Sequence, residues 1–435
     1  MNHRVSPTFA LMLLRTSCSL AFAVLLAAPL RGQDMDYARE VLAELCSDEM
    51  AGRGYVDDGD NSAAFYIESQ FKEMELKAWD YNFYQSFKFA VNTFPGAMEL
   101  GLDNQPLLPG RDFIVASDAP SIKGTYAISY LHQLPKLAPS GRLLDTALVY
   151  DGALVVPDSL VRGLPASMRS ALLQGFRKAG AKVLLRATDK KLTWHVSTHQ
   201  AAIFEATVHD SLFVHSPKTL QLAIESKMVP KHRTQNVLAY MPGTTDTDST
   251  IVFTAHYDHL GKMGKEAIFR GANDNASGVT MLLSLAKHFS LPENASEFNI
   301  AFIAFAGEEV GLLGSSHYVE QPVFPLEDIR FLINLDIVGT GEEGVKVVNG
   351  AVHTAEFDRL LEINKSRNYL PAIQPRGKAA ISDHYPFSEK GVPCFYFYTL
   401  GGSPAYHDIN DRPEGLSLAG FEGLFKLLVD FTHTF

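Results

Sequence analysis

Seven residues in the second half of this 435-residue chain are of types that could act together on a polar bond: His256, Asp258, Asp274, Glu308, Glu309, Asp336 and His407. His256 and Asp258 close the apolar run IVFTAHYD, Glu308 and Glu309 follow FNIAFIAFAG, and Asp336 ends FLINLD. Asp274 lies in GANDNAS just before a helical stretch, and His407 lies in AYHDIND after CFYFYT. In an extended chain residues i and i+2 point the same way, so His256 can ligate a metal while Asp258 approaches from behind to fix the imidazole. Glu308 and Glu309 are adjacent and would point apart on a strand. Only a loop at the strand end can bring both to one site, one as ligand and the other as base. Two imidazoles with several carboxylates and no thiolate suit zinc, with manganese or cobalt as other occupants.

The elements that must position these groups follow from the apolar pattern. Strand-like runs at 236–241, 251–257, 298–305, 330–336, 345–349 and 394–399 alternate with helical stretches at 279–289, 311–319, 355–368 and 418–431. Near-continuous apolar strands alternating with helices predict an α/β fold: a mixed, mostly parallel central sheet with helices on both faces. In such sheets the ligand crevice lies outside the carboxyl ends of the strands, so five separate segments converge on one edge. Residues 36–77 predict two helices broken at Gly52-Arg53-Gly54 and Asp57–Asp60. From about 92 to 231 the character changes to short β-rich runs at 113–116, 126–131, 147–150, 183–185 and 204–208, with one helix near 167–182. That stretch is expected to be a β-rich inserted domain.

Taken in order, AHYDH, GANDNASGV, FAGEEVGLLGS, NLDIVG, SDHYPF with GVP, and YHDINDRPE make residues 232–435 resemble the co-catalytic di-zinc exopeptidases typified by secreted bacterial leucyl aminopeptidases. MAGRGY and AAFYIESQF resemble the opening segment of the same family, which makes 33–91 the N-terminal part of the peptidase domain and 232–435 its di-zinc part. The resemblance implies two zinc ions per chain, His256 and Asp336 on one, Glu309 and His407 on the other, and Asp274 bridging both. It further implies Asp258 as the carboxylate behind His256, Glu308 as general base, Tyr406 as an oxyanion donor or a packed aromatic, and a cis Asp274–Asn275 bond. The implied activity is hydrolysis at peptide ends, most simply as an aminopeptidase acting on the N-termini of peptides or proteins. Within the same fold, a glutaminyl cyclase using one zinc and a carboxypeptidase or dipeptidase are the alternatives. A relative that has lost activity would have lost ligands, and this chain keeps all five. Between 92 and 231, DTALVYDG, FRKAGAK and VLLR resemble the core of a protease-associated domain.

Composition bounds the rest. With 38 basic and 49 acidic residues the formal charge is 38 − 49 = −11, so no basic surplus exists for nucleic acid or an anionic membrane surface. Residues 1–32 carry Arg4 and Arg15, contain no acid and include the 12-residue apolar run Ser19–Leu30, which reads as an export signal to the periplasm or outside. That run is shorter than the roughly 20 residues a bilayer span needs, so no stable membrane span is expected after its removal. Cys46 and Cys394 are expected to be buried small hydrophobes rather than a bridge. His259, His288 and His317 are expected to be structural, and Asp383 a support residue.

Overall fold

Four apolar runs, Asn299–Phe305, Thr250–His256, Ile329–Leu335 and Cys394–Leu400, lie side by side and parallel in the computed structural model, which describes residues 34–79, 81–135 and 149–435. Beyond Asn299–Phe305 the sheet continues antiparallel through Lys227–Met241 to Tyr84–Thr93. On the other side Gly344–Val348 pairs antiparallel with Cys394–Leu400 and carries Ile373–Arg376 parallel at the edge. The eight strands therefore form the mixed, mostly parallel sheet that the apolar runs predict.

Both faces are covered because the four parallel strands are apolar on both sides. Ile251, Phe253, Ala255, Phe302, Phe331 and Ile333 share one core with the helices Met35–Leu45, Gly59–Glu73, Ser277–Phe289 and Phe421–Thr432. Val252, Ala301, Ile303 and Leu332 point the other way, against Tyr318 of helix Leu313–Glu320 and Phe387 of helix His384–Glu389. Alternation along a strand sends neighbours to opposite faces, so burying both faces fixes the register of the strand ends.

The N-terminal segment is tied to this frame by one cation. The fully buried Arg53 guanidinium donates to the carbonyls of Leu45 (2.8 Å), Tyr257 (2.8 Å), Arg270 (2.6 Å) and Gly271 (2.7 Å). These carbonyls belong to the first helix and to the two loops that follow His256 and precede Asp274.

A second eight-stranded sheet is built from residues 98–224, in the order Gln105–Leu107, Met98–Leu102, Thr219–Ile224, Ile122–Tyr130, Gly152–Pro157, Ala181–Thr188, Phe204–His209 and Phe113–Val115. The stretch 92–231 starts inside the edge strand Tyr84–Thr93 and ends inside its neighbour Lys227–Met241, and the two pair from Tyr84 with Val237 to Thr93 with Lys227. Two local expectations shift. Val149 and Tyr150 are not in a strand, and residues 147–148 lie outside the described residues; the strand is the fully apolar Gly152–Pro157, central in its sheet. The helix expected at 167–182 runs Ala166–Lys178, because Gly180 (φ +101°) turns the chain into the strand that begins at Ala181. Cys46 and Cys394 are buried free thiols, as expected. Among the described residues no helix is long and apolar enough to cross a membrane. The segment read as an export signal lies outside the described residues.

Candidate metal centre

The four parallel strands end at one crevice of about 370 Å³, lined by His256, Asp274, Glu308, Glu309, Asp336, Tyr406 and His407 among others. His256 is the last residue of its strand. Glu308 and Glu309 follow Phe305 through a turn at Gly307 (φ +69°), and Asp336 directly follows Leu335. His407 comes from the loop after Leu400, and Asp274 from the turn that leads into helix Ser277–Phe289. The Asp274–Asn275 bond in that turn is cis, as the family resemblance implies.

Asp274 stands between the two imidazoles. Its Oδ1 lies 3.4 Å from His256 Nε2 and its Oδ2 lies 3.1 Å from His407 Nε2. Asp336 Oδ1 is 3.3 Å from His256 Nε2, and Glu309 Oε2 is 3.2 Å from His407 Nε2. The opposite ring nitrogens are both committed. His256 Nδ1 faces the main-chain carbonyl of Asp258 at 3.1 Å, and His407 Nδ1 faces that of Trp194 at 3.1 Å. A carbonyl can only accept, so each Nδ1 donates, and with a cation in the crevice each Nε2 would offer its lone pair to it. Lone pairs and carboxylate oxygens are all electron donors, and a cation is what such a set holds together. Oxygen and imidazole nitrogen without sulfur fit zinc.

The field at this point favours positive charge. Burial lowers the His407 ring's proton affinity, but its hydrogen bonds to Asp274 and Glu309 outweigh that and raise its pKa to about 10. The two adjacent glutamates are driven apart. Burial pushes the Glu308 carboxyl well above the usual carboxylate range, with Glu309, Asp383 and Asp336 adding like charge. Burial also acts on Glu309, but hydrogen bonds from His259 and His407 hold it down at about 2. Neighbouring carboxyls with separated pKa values are suited to separate roles, proton carrier and ligand.

Asp258 departs from the expected arrangement. Its carboxylate is 3.9 Å from His256 Nδ1, beyond hydrogen-bonding distance, because the strand ends at His256 and the i, i+2 relation ends with it. The carboxylate instead accepts from the main-chain N–H groups of Glu308 (3.1 Å) and Glu309 (3.3 Å) and from the Tyr55 hydroxyl (2.7 Å). Asp258 thus holds the His256 ring with its main chain and the glutamate loop with its side chain. Burial raises this carboxyl to about 6. Tyr406 is 47% exposed, lines the crevice and stacks on His407 at 4.0 Å between ring centroids.

Several contributors escape a reading of the sequence. His259, expected to be structural, is fully buried with Nδ1 2.8 Å from Glu309 Oε1, in a cluster with Asp274 and Glu309. Its place in AHYDH is the only signal it leaves, since the coil after the strand has no periodicity to interpret. Ser382 donates to Asp336 Oδ2 at 2.7 Å, and Asp411 accepts from the N–H groups of Asn273 (2.8 Å) and Asp274 (3.0 Å). Asp383, by contrast, is buried beside the site as a support residue should be, and burial raises its carboxyl to about 7.

Residues 236–432 match peptidase family M28. Aminopeptidase YwaD of Bacillus subtilis (strain 168) is 31% identical over 210 residues, 45% of this chain and 44% of its own. A probable leucine aminopeptidase of Arthroderma otae is 27% identical over 223 residues, 49% of this chain and 61% of its own. The chain thus spans about half the length of these curated relatives. Two solved structures extend the likeness to nearly the whole fold: BSAP, a zinc aminopeptidase from Bacillus subtilis, with TM-score 0.66, and the aminopeptidase from Aneurinibacillus sp. strain AM-1, with TM-score 0.62. Each is 20% identical and aligned over 92% of this chain and 94% of the other. With the site at the strand ends, the motif order and the sequence match all falling on the same stretch, residues 236–432 form a domain of peptidase family M28.

Proposed function

We propose that this protein is a zinc-dependent aminopeptidase that releases residues from the N-termini of peptides, with two zinc ions per chain. One ion, when bound, would be held by His256 and Asp336, the other by Glu309 and His407, with Asp274 shared between them; manganese or cobalt would fit the same donors. When bound, the ions lower the pKa of a water and polarise the scissile carbonyl. The observation that carries this reading is Asp274, with one carboxylate oxygen facing each imidazole. The names of the two relatives described above, both aminopeptidases, support the choice of substrate end.

The chain's own groups divide the work. Glu308 takes a proton from the attacking water as the C–O bond forms and returns it to the departing amine as the C–N bond breaks. Asp258 keeps the Glu308 and Glu309 main chain in place through their N–H groups. Tyr406, exposed on the crevice wall, offers its hydroxyl to the carbonyl oxygen as charge develops there. Residues 33–91 and 232–435 are read as the peptidase domain, 92–231 as a protease-associated-like insert beside the crevice, and 1–32 as an export signal.

Metal analysis combined with hydrolysis of paired peptides, free and N-acetylated, tests the proposal. Two zinc equivalents per chain and turnover of the free peptide alone are expected. Turnover that survives acetylation would move the assignment to another end of the peptide, and one equivalent with cyclisation of N-terminal glutamine would replace hydrolysis by the single-zinc alternative.

A further inference from the structure

The coil Lys191–Val196 follows a strand of the second sheet, yet it reaches the metal centre. Trp194 meets His407 twice through its main chain: its N–H donates to the His407 carbonyl at 2.9 Å, and its carbonyl accepts from His407 Nδ1 at 3.1 Å. Trp194 itself is fixed by its side chain. The indole N–H donates to the Val115 carbonyl at 3.0 Å, and the ring packs against Phe94 and Phe269 in the core of the second sheet. Three residues earlier, Lys191 Nζ closes a clamp on the loop that carries His407, donating to the Asp408 carboxylate (2.8 Å) and to the carbonyls of Pro404 and Tyr406 (2.9 Å each). Three N–H donors meet three acceptors, which uses the whole capacity of an ammonium. His407 also has a positive φ of 53°, a backbone state that a residue with a Cβ keeps only when its surroundings hold it there.

We propose that Lys191 and Trp194 are positioning residues of the metal centre, setting from the second sheet's region the orientation and tautomer of His407 and so the retention of the ion on that side. The proposal rests on reading His407 as a metal ligand. His256 receives the equivalent support from its own loop, through the Asp258 carbonyl, rather than from the second sheet's region. Partners that orient a metal-bound histidine typically change metal affinity about 10–100-fold when lost.

The test is chelator competition on the full-length, zinc-loaded chain, following release with a chromogenic chelator in wild type, Lys191→Met and Lys191→Arg, beside melting of each metal-free protein. Lys191→Met is expected to release one zinc equivalent about 10-fold faster and the other at the wild-type rate, Lys191→Arg to restore most of the retention, and the metal-free melting temperatures to agree. Equal release from wild type and Lys191→Met overturns the proposal, as does equal acceleration of both ions or a lowered metal-free melting temperature without faster release. A wild-type chain that binds no zinc overturns the metal reading, and this proposal with it.

Discussion

The carboxylate of Asp258 can remain buried because three donors converge on it, and one of them, the Tyr55 hydroxyl, comes from a segment about 200 residues earlier in the chain. A hydrogen bond to a charged group contributes about 1.5–3 kcal/mol. Tyr55→Phe should therefore lower unfolding free energy by about that amount in a denaturant titration, and reduce kcat more than it changes KM, since the same carboxylate steadies Glu308. An unchanged midpoint and an unchanged kcat would remove Tyr55 from this account. Glu308→Gln should keep zinc and lose about 10²–10⁴-fold in turnover, as expected for a missing proton carrier. His256→Ala should lose zinc as well, and equal metal content with equal activity in both variants would contradict the division of roles. The gathering of His256, Asp274, Glu308, Glu309, Asp336 and His407 at one crevice was legible in the sequence, because they follow apolar strands or precede a helix in a sheet that restricts place. The contacts of Asp258 and His259 were not, because both lie in coil just past a strand, where no period links position to direction.

At the scale of elements, the entry to helix Ser277–Phe289 is where packing and chemistry meet. A Cβ on Gly278 would lie 2.3 Å from both the side-chain Oδ1 of Asn275, the residue after Asp274, and the main-chain carbonyl of Leu335, the residue before Asp336. Gly278→Ala must push these two segments apart, and overpacking of this kind costs about 1–3 kcal/mol. A lower melting temperature with reduced zinc content is expected; a variant with normal zinc content would show that the turn can yield. Near the end of the same helix, burial lowers His288 to about 4, with His433 adding to the effect, and its Nδ1 accepts from Asn294 Nδ2 at 3.2 Å. The folded pKa lies below the ordinary 6.5, so the unfolded chain binds the proton first. The stability from this ring is complete above about pH 6.5 and is lost as pH falls toward about 4. Melting curves between pH 7 and 5 should therefore converge for wild type and His288→Gln as pH drops, and parallel curves would refute the assignment. The parallel strands were legible because they are apolar on both faces. Helix ends were less so: 167–182 overran into a strand, since local propensity does not register the turn at Gly180.

Across the whole molecule, the shift from α/β alternation to short β runs between 92 and 231 signals a second sheet. It gives no sign that Trp194 would reach His407, 213 residues away, since a contact of that separation leaves no local pattern. The same holds for Arg53, whose guanidinium joins the first helix to the loops around the metal centre. Neither residue lies within the stretch 236–432 that matches the family. A gene fragment trimmed to that match would encode every proposed zinc ligand but leave the carbonyls of Tyr257, Arg270 and Gly271 without their shared cation, and His407 without the neighbour that orients its ring. Such a fragment should accumulate as insoluble material, so the smallest unit worth cloning begins before the first helix and includes the second sheet.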